Sequence, residues 1–587
     1  MKKIFSILFT TFLIIGCTND EYEALNSDPN NPTDVEAGQL FVSATKTLFD
    51  QVEETNVNLN NTRLFSQYWT ETTYTDEANY DMQNRSIPKN HWNTIYQNVL
   101  FDLKDAKSRA AGDSKKTGQV EVLEVYAWSL LVDVFGDVPY SEALKVADAE
   151  YLPKYDDAAT IYDDLLSRLD TAISSLQGGG MGFGTADLIY SNNTGSWVKF
   201  ANSLKVKLGM RLSDVSPAKS KAAVESAAAS AFTSNADNAT LSYEGSTPNT
   251  NPIWVALVQS GRNDFVPANT IVDMLQDTLA DPRQDVFFDP KSKKVVGKKA
   301  TTAGGDVEWL VIYDYDSANK RYRIGIDKRE FPTGFDYASL NSLKLFDLWD
   351  GSISYKSSTG IYWAEYYIYA NAELDFSGST FSDKIRKGNG IYGIKAEFSF
   401  QDNIKYKGGK YAASSTHSAH SHIGTAMFEP SFRGVLLDYA EISFNLAEAS
   451  MLGYNVPGDA KTHYENGIKA NFADWGVSGV DAYLNNPKVS WSTASGSDKV
   501  KIARQYWIAM YNRGMEGWYV YRKFDAPQMN LAATSLLKVP KRYTYPQSEQ
   551  TLNGTNYKAA SSAIGGDEQQ TKIFWDVNNP PKQIGEN

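Results

Sequence analysis

The chain of 587 residues contains one cysteine, Cys17. A single thiol cannot close an intramolecular disulfide, so the folded protein must be held together by its core. The length permits this. It predicts about three to four domains, or one large helical body carrying insertions.

The position of Cys17 is informative in itself. Met1-Lys2-Lys3 opens the chain, and an apolar run from Ile4 to Ile15 follows, broken only by Ser6, Thr10 and Thr11, before Gly16 and Cys17. A basic start, a short apolar stretch and a small residue have the form of a secretory signal peptide. Spanning a bilayer takes about twenty apolar residues, and this run has roughly a dozen. No other stretch approaches that length. Leu13-Ile14-Ile15-Gly16-Cys17 resembles a bacterial lipobox. The resemblance implies a signal peptide over 1–16 and a lipidated Cys17, each buried CH2 of the anchor contributing about 0.8 kcal/mol. Residues 17–34, polar, acidic and rich in Asn and Pro, then read as a lipidated N-terminus and tether.

Charge narrows the partners. With 57 basic and 70 acidic residues the net charge is −13. Such a surface repels nucleic acid and suits neutral or basic ligands. The chain also carries 35 Tyr, 13 Trp and 27 Phe. Tyr and Trp pair a flat apolar face with a polar edge, which serves sugar rings, protein interfaces and large helical cores alike.

Hydrophobic periodicity predicts helices over 39–56, 121–135, 159–176 and 197–213, then again over 436–452, 459–475 and 500–524. The segment 121–135 is apolar almost all round and reads as a helix buried among helices. It stops at Gly136-Asp137-Val138-Pro139-Tyr140, a rigid turn. On 197–213, Lys199, Lys205, Lys207 and Arg211 read as a wet face or as salt-bridge partners. Between about 214 and 430 helical patches shorten, and Gly, Ser, Asn and Tyr dominate, with strands expected over 308–315 and 361–369. The expected organisation is an N-terminal helical-repeat body (35–213), a loop-rich insertion (214–430), and C-terminal helices and a tail completing the body (431–587). The fold class is mainly α, with paired helices and small β elements.

Two aromatic groups stand out as candidate ligand platforms. Tyr362, Trp363, Tyr366, Tyr367 and Tyr369 crowd into eight residues of the insertion, and periodicity does not decide their element. Tyr68, Trp69 and Tyr74 sit in a more polar context, where a sugar platform competes with packing or partner contact. Cofactor and catalytic signatures are missing. There is no dinucleotide fingerprint, phosphate loop, zinc helix or nucleophile elbow, so no cofactor, metal or catalytic residue is assigned. His417, His420 and His422 have a spacing that metals use, but their Ser- and Ala-rich context reads as a solvated loop. The many carboxylates leave a glycoside hydrolase open.

Several motifs together resemble one family. They are Gly136-Asp137-Val138-Pro139-Tyr140, Trp197 to Lys205, Asp281-Pro282-Arg283, Tyr439-Ala440-Glu441-Ile442 with Leu446 to Ala449, Gln505 to Met510 with Glu516-Gly517-Trp518, and Pro540 to Pro546. In this order behind a lipobox, they resemble the SusD/RagB outer-membrane nutrient-binding lipoproteins of Bacteroidota. The resemblance implies a helical body with degenerate tetratricopeptide-like pairs and a variable insertion. It also implies a non-enzymatic subunit on the extracellular side of the outer membrane. Such a subunit passes glycans, or in some members peptides, to a SusC-like TonB-dependent β-barrel transporter. Asp20, Glu21 and Glu23 are similar to the acidic tag that exports such lipoproteins to the surface. A surface glycoside hydrolase and a peptide-binding member of the same family are the alternatives.

Overall fold

The computed structural model describes residues 35–145, 150–289, 406–579 and 582–585, together with the backbone of individual strands between 295 and 405. Cys17, Asp20, Glu21, Glu23 and Tyr366 lie outside the described residues.

Helix α1 (Ala37–Glu53) buries Phe41, Ala44, Leu48 and Phe49 along one stripe, the apolar face its sequence predicts. Next, α2 (Ile87–Asn93) runs through a π-helical turn (Thr94–Leu100) into α3 (Phe101–Arg109). Helix α4 (Ser114–Phe135) begins where the Asp113 carboxylate accepts from the amides of Lys115 and Lys116, and is buried from Gly118 to its end. Asp157 and Asn193 cap α5 (Ala158–Leu176) and α6 (Thr194–Arg211) in the same way. Helix α5 packs on α4 and α6, and α6 packs on α7 (Pro217–Ala227). The body therefore continues past the boundary expected at 213, because the apolar face of α6 needs a partner and α7 supplies it.

The C-terminal half adds α8 (Tyr439–Met451), α9 (Ala460–Asp474), α10 (Asp498–Ala509), α11 (Gly514–Phe524) and α12 (Gly554–Ala563). The helix expected over 500–524 is in fact two. Its break at Met510–Arg513 brings Gly514 against the backbone of Arg63, so close that a Cβ would lie 2.4 Å from the Arg63 amide nitrogen. An unbroken helix with a side chain at 514 would be expelled from that contact.

Buried charges tie the two halves together. Lys207 on α6 pairs with Glu516 on α11 and, at 3.0 Å, with Glu441 on α8. Arg211 reaches Asp133 on α4 at 2.6 Å and Glu516 at 3.2 Å, while Arg513 reaches Glu441 at 2.5 Å. Of the two readings offered for the cations of α6, salt-bridge partner holds for Lys205, Lys207 and Arg211, all buried, whereas the wet face does not. Removing one partner from such a set would strand the other in a low dielectric, at a cost of about 3–5 kcal/mol.

Among the described residues, the largest sheet of the insertion is antiparallel. In chain order its main strands are β4 (Val295–Thr302), β5 (Gly305–Asp316), β6 (Arg321–Asp327), β7 (Tyr355–Ser358) and β8 (Ile361–Ala364). The spatial order is β7–β8–β6–β5–β4. The short strands that precede them include β1 (Trp69–Glu71), β2 (Phe265–Pro267) and β3 (Phe288–Asp289). Among the described residues, no helix is long and apolar enough to cross a membrane.

Candidate functional site

Strand β1 pairs antiparallel with β2, placing Trp69 opposite Pro267, Thr70 opposite Val266 and Glu71 opposite Phe265. Every residue of β1 is buried. Tyr68 and Trp69 are 0% and 1% exposed, so neither can offer a face to a ligand. This corrects the platform expected at these two positions. The Tyr68 hydroxyl donates to the Trp507 carbonyl at 2.5 Å, and the Trp69 indole N–H donates to the Tyr511 hydroxyl at 3.2 Å. The polar neighbours that suggested exposure, Gln67, Thr70 and Glu71, are themselves buried.

Tyr74 behaves differently. It is 69% exposed, and its φ of 53° places a bulky residue in the left-handed region. Nearby backbone holds its loop in place. Thr72 N donates to Asp264 O at 2.7 Å, Ser415 N to Thr72 O at 2.8 Å, and Ala78 N to the Glu71 carboxylate at 2.9 Å. Thr73 Oγ1 donates to Asp264 Oδ1 at 3.2 Å, and Asp264 also pairs with Arg262. Arg262, Asp264 and Thr73 escaped sequence reasoning because no local pattern links residues almost two hundred positions apart.

The insertion is rooted beside this loop. The chain leaves through β3, which pairs with His422–Ile423. On its return Gly409 N donates to Pro267 O at 2.9 Å, and Gly409 O accepts from Asn269 N at 2.8 Å. Ala412 N then donates to Thr70 Oγ1 at 2.9 Å, and the chain reaches Ser415 beside Thr72. Within the insertion, Tyr362 and Trp363 lie on β8, an inner strand flanked by β7 and β6. Trp363 is paired with Lys356 on one side and Gly325 on the other, and Tyr362 with Ser357 and Ile326. The strand expected over 361–369 is two: β8, and Ile368–Tyr369, which pairs separately with β6.

Behind Tyr74 sits a pair of carboxyls, Glu71 and Glu77, the latter bonded to Arg85. Burial, reinforced by the charge of Glu77, pushes the Glu71 carboxyl up to about 9. A proton-holding acid beside a second carboxylate has the composition of a hydrolytic pair. At 3% and 0% exposure, however, the two are sealed from any substrate and act as a clasp on the loop. The histidine segment is not the solvated loop expected, since His420 is buried and its Nε2 lies 3.0 Å from Ser415 Oγ. The rings of His417 and His422 stack at 4.0 Å. Among the described residues, no group of three His, Cys, Asp or Glu is arranged to hold a metal ion.

Comparison with known proteins places this architecture. The family described as "starch-binding associating with outer membrane", SusD-like, matches residues 29–342 and 389–546. Among solved structures, a chitin-binding SusD homologue from Flavobacterium johnsoniae is 22% identical, with a TM-score of 0.63 over 92% of this chain and 99% of that one. A Bacteroidetes SusD-like protein is 20% identical, with a TM-score of 0.65 over 93% and 100%. A SusD homologue from Bacteroides uniformis is 21% identical, with a TM-score of 0.61 over 93% and 100%. No curated protein matches the chain. The helical body, its inserted sheet and a family match across most of the sequence lead to one assignment: the chain belongs to the SusD-like family.

Proposed function

We propose that this protein is a surface-exposed lipoprotein that captures oligo- or polysaccharide and delivers it to a SusC-like TonB-dependent β-barrel transporter. In this reading Cys17 carries the lipid, Asp20, Glu21 and Glu23 direct export to the extracellular side, and the role is binding, not catalysis. The family description and the chitin-binding relatives support a glycan ligand. The observation that carries the reading is Tyr74, a large exposed ring in a left-handed conformation, braced beside the root of an insertion that carries Tyr362, Trp363 and Tyr366. Strained residues persist where the surrounding structure over-determines them, and such places cluster at ligand sites. A sugar stacked on an exposed ring removes apolar C–H surface from water, at about 25 cal/mol per Å2.

Affinity electrophoresis in gels containing soluble starch or glycol chitin tests the reading, with reducing-end release assayed in parallel. Retardation by at least one glycan without product is the expected result. Product release would replace the binder with a hydrolase. An absence of retardation across neutral glycans, with binding to basic peptides instead, would move the ligand class to peptide. Delivery is tested by co-purification of a β-barrel transporter with the membrane-extracted protein.

A further inference from the structure

Away from the Tyr74 loop the molecule holds a cavity whose lining shares no residue with that loop or its braces. It is a cleft of about 490 Å3 bounded by the turn after α4 and by α12, within the range of about 300–1,000 Å3 typical of small-ligand sites. Part of its lining is carbon, contributed by Ala559, Ala563, Ile564 and Phe574. The rest is polar and includes Asp137, Lys154, Arg542, Asn556 and Lys572.

Arg542 is 1% exposed. Its Nε donates to Phe135 O at 3.0 Å and its Nη1 to Asp567 Oδ1 at 2.5 Å, while Nη2 has no acceptor. The guanidinium is thus pinned in the wall of the cleft. Acceptors are present in the lining. Asp137 Oδ1 accepts from Ala158 N at 2.9 Å, and among the described residues no hydrogen bond uses Asp137 Oδ2. Asn556 spends its Nδ2 on Leu152 O, Pro153 O and Asn553 Oδ1, leaving its own Oδ1 to a ligand.

Charge balance decides the ligand class. Arg542 is matched by Asp567 and Lys154 by Glu142 at 2.9 Å, and Asp137 stands beside them. Lys572, the third cation of the lining, donates to Asn578 O and Asn579 Oδ1, and Asp137 and Asp157 bring negative charge of their own, so the cleft is no anion trap. Two free acceptors and a carbon wall instead fit a ring whose hydroxyls donate and whose C–H face is apolar. We propose that this cleft is a second saccharide site, taking a neutral mono- or disaccharide. Ring hydroxyls donate to Asp137 and Asn556, and the ring lies against Ala563 and Phe574. The ligand class is that of the capture function, but the argument rests on the cleft alone.

Lys154 and Lys572 supply a local readout, since both line the cleft. The acylation rate of each is measured by mass spectrometry on the full chain, with maltose, N,N′-diacetylchitobiose or D-glucuronate present. A neutral disaccharide is expected to slow both lysines roughly threefold at twice its dissociation constant, the mass-action expectation for an occupied site. Ala563→Trp, a change on the exposed side of α12, should fill the cleft and abolish the protection. Tyr74→Ala should leave it intact, so failure of glycan capture at the Tyr74 loop and failure here are read separately. Absence of protection by both neutral disaccharides overturns the proposal. So does stronger protection by glucuronate, or protection that survives Ala563→Trp.

Discussion

Gly517 on α11 lies flat against the ring of Tyr68, so close that a Cβ at 517 would come within 2.3 Å of the Tyr68 hydroxyl oxygen. The contact joins the start of β1 to the C-terminal half, in a core where Tyr68 also meets Trp507 at a ring distance of 5.0 Å and Tyr511 at 5.5 Å. Gly517→Ala should destabilise the protein by about 1–3 kcal/mol, the cost of overpacking a filled core. Tyr68→Ala should cost about 3–5 kcal/mol through the cavity it opens. Denaturant titration measures both. Because Tyr68 touches no solvent, the folded fraction of either variant should bind glycan with undiminished affinity; a selective loss of affinity at full stability would return Tyr68 to the ligand site.

The same region shows which parts of the sequence were readable. Apolar periodicity located α1, α5 and α6 to within three residues, and the end of α4 though not its polar first two turns, because each answers to a local rule, a stripe or an all-round apolar surface ended by a cap. At Tyr68 and Trp69 the sequence leaves platform and packing both open, because Thr70 and Glu71 look like surface residues. Their polarity is instead satisfied inside, Thr70 by Ala412 N and Glu71 by Ala78 N. The break before Gly514 was likewise hidden, since its cause is the backbone of Arg63, some 450 positions earlier. Tyr74, only six residues from Tyr68, shares its sequence context and differs in a loop geometry set by Asp264 and Ser415. Such partners are distant in sequence and invisible to any window.

Glu71 predicts an unusual pH dependence. Its carboxyl is held up to about 9 by burial and by Glu77, against an ordinary value of 4.5. The folded state therefore binds a proton that the unfolded chain releases across this interval, and the contribution of Glu71 to stability falls as pH rises from about 4.5 to about 9. Glu71→Gln cannot ionise and keeps an oxygen for Ala78 N. It should stabilise the protein by about 1–3 kcal/mol at pH 8 and by much less at pH 5. Melting temperatures of the two proteins, compared at both pH values, should diverge on the alkaline side. Equal differences at both pH values would show that Glu71 does not hold the proton.

The anchor is tested without reference to the ligand. Cys17→Ala should abolish lipidation and release or mislocalise the protein, and the intact mass of membrane-extracted wild type should show loss of residues 1–16 plus acyl chains. Neutralising Asp20, Glu21 and Glu23 together should leave that mass unchanged while reducing protease accessibility on whole cells. Mature material beginning at Met1, or undiminished accessibility, would reject the respective assignment.

Trp363 is the foremost candidate in the insertion. Its strand β8 is an inner strand, and its β6 partner is Gly325, a position without a side chain. Trp363→Ala should lower glycan affinity by about one to three kcal/mol, the usual loss when a hot-spot aromatic is truncated. The melting temperature should barely move. A stability loss of about three to five kcal/mol would instead identify Trp363 as core. Unchanged affinity in a stable Trp363→Ala protein would remove it from the site.

Tyr74 permits a test in which stability and binding separate. A non-glycine residue at φ 53° carries a strain of about 1–2 kcal/mol, because Cβ crowds the neighbouring carbonyl. Glycine relieves that strain and returns part of the gain, about 0.5–1 kcal/mol, to the greater freedom of the unfolded chain. The ring is mostly in water, so deleting it forfeits little packing. Tyr74→Gly should therefore be at least as stable as the wild type, whereas Tyr74→Ala keeps the strain without the ring and should be slightly less stable. If Tyr74 is a sugar platform, both variants should lose about one to three kcal/mol of glycan affinity, the alanine and glycine forms agreeing with each other. Calorimetric titration with the glycan that retards the wild-type protein, beside a melting curve for each variant, measures the two effects independently. Glycan affinity equal to wild type in both variants would leave the left-handed tyrosine without a ligand role and shift the platform wholly to the insertion.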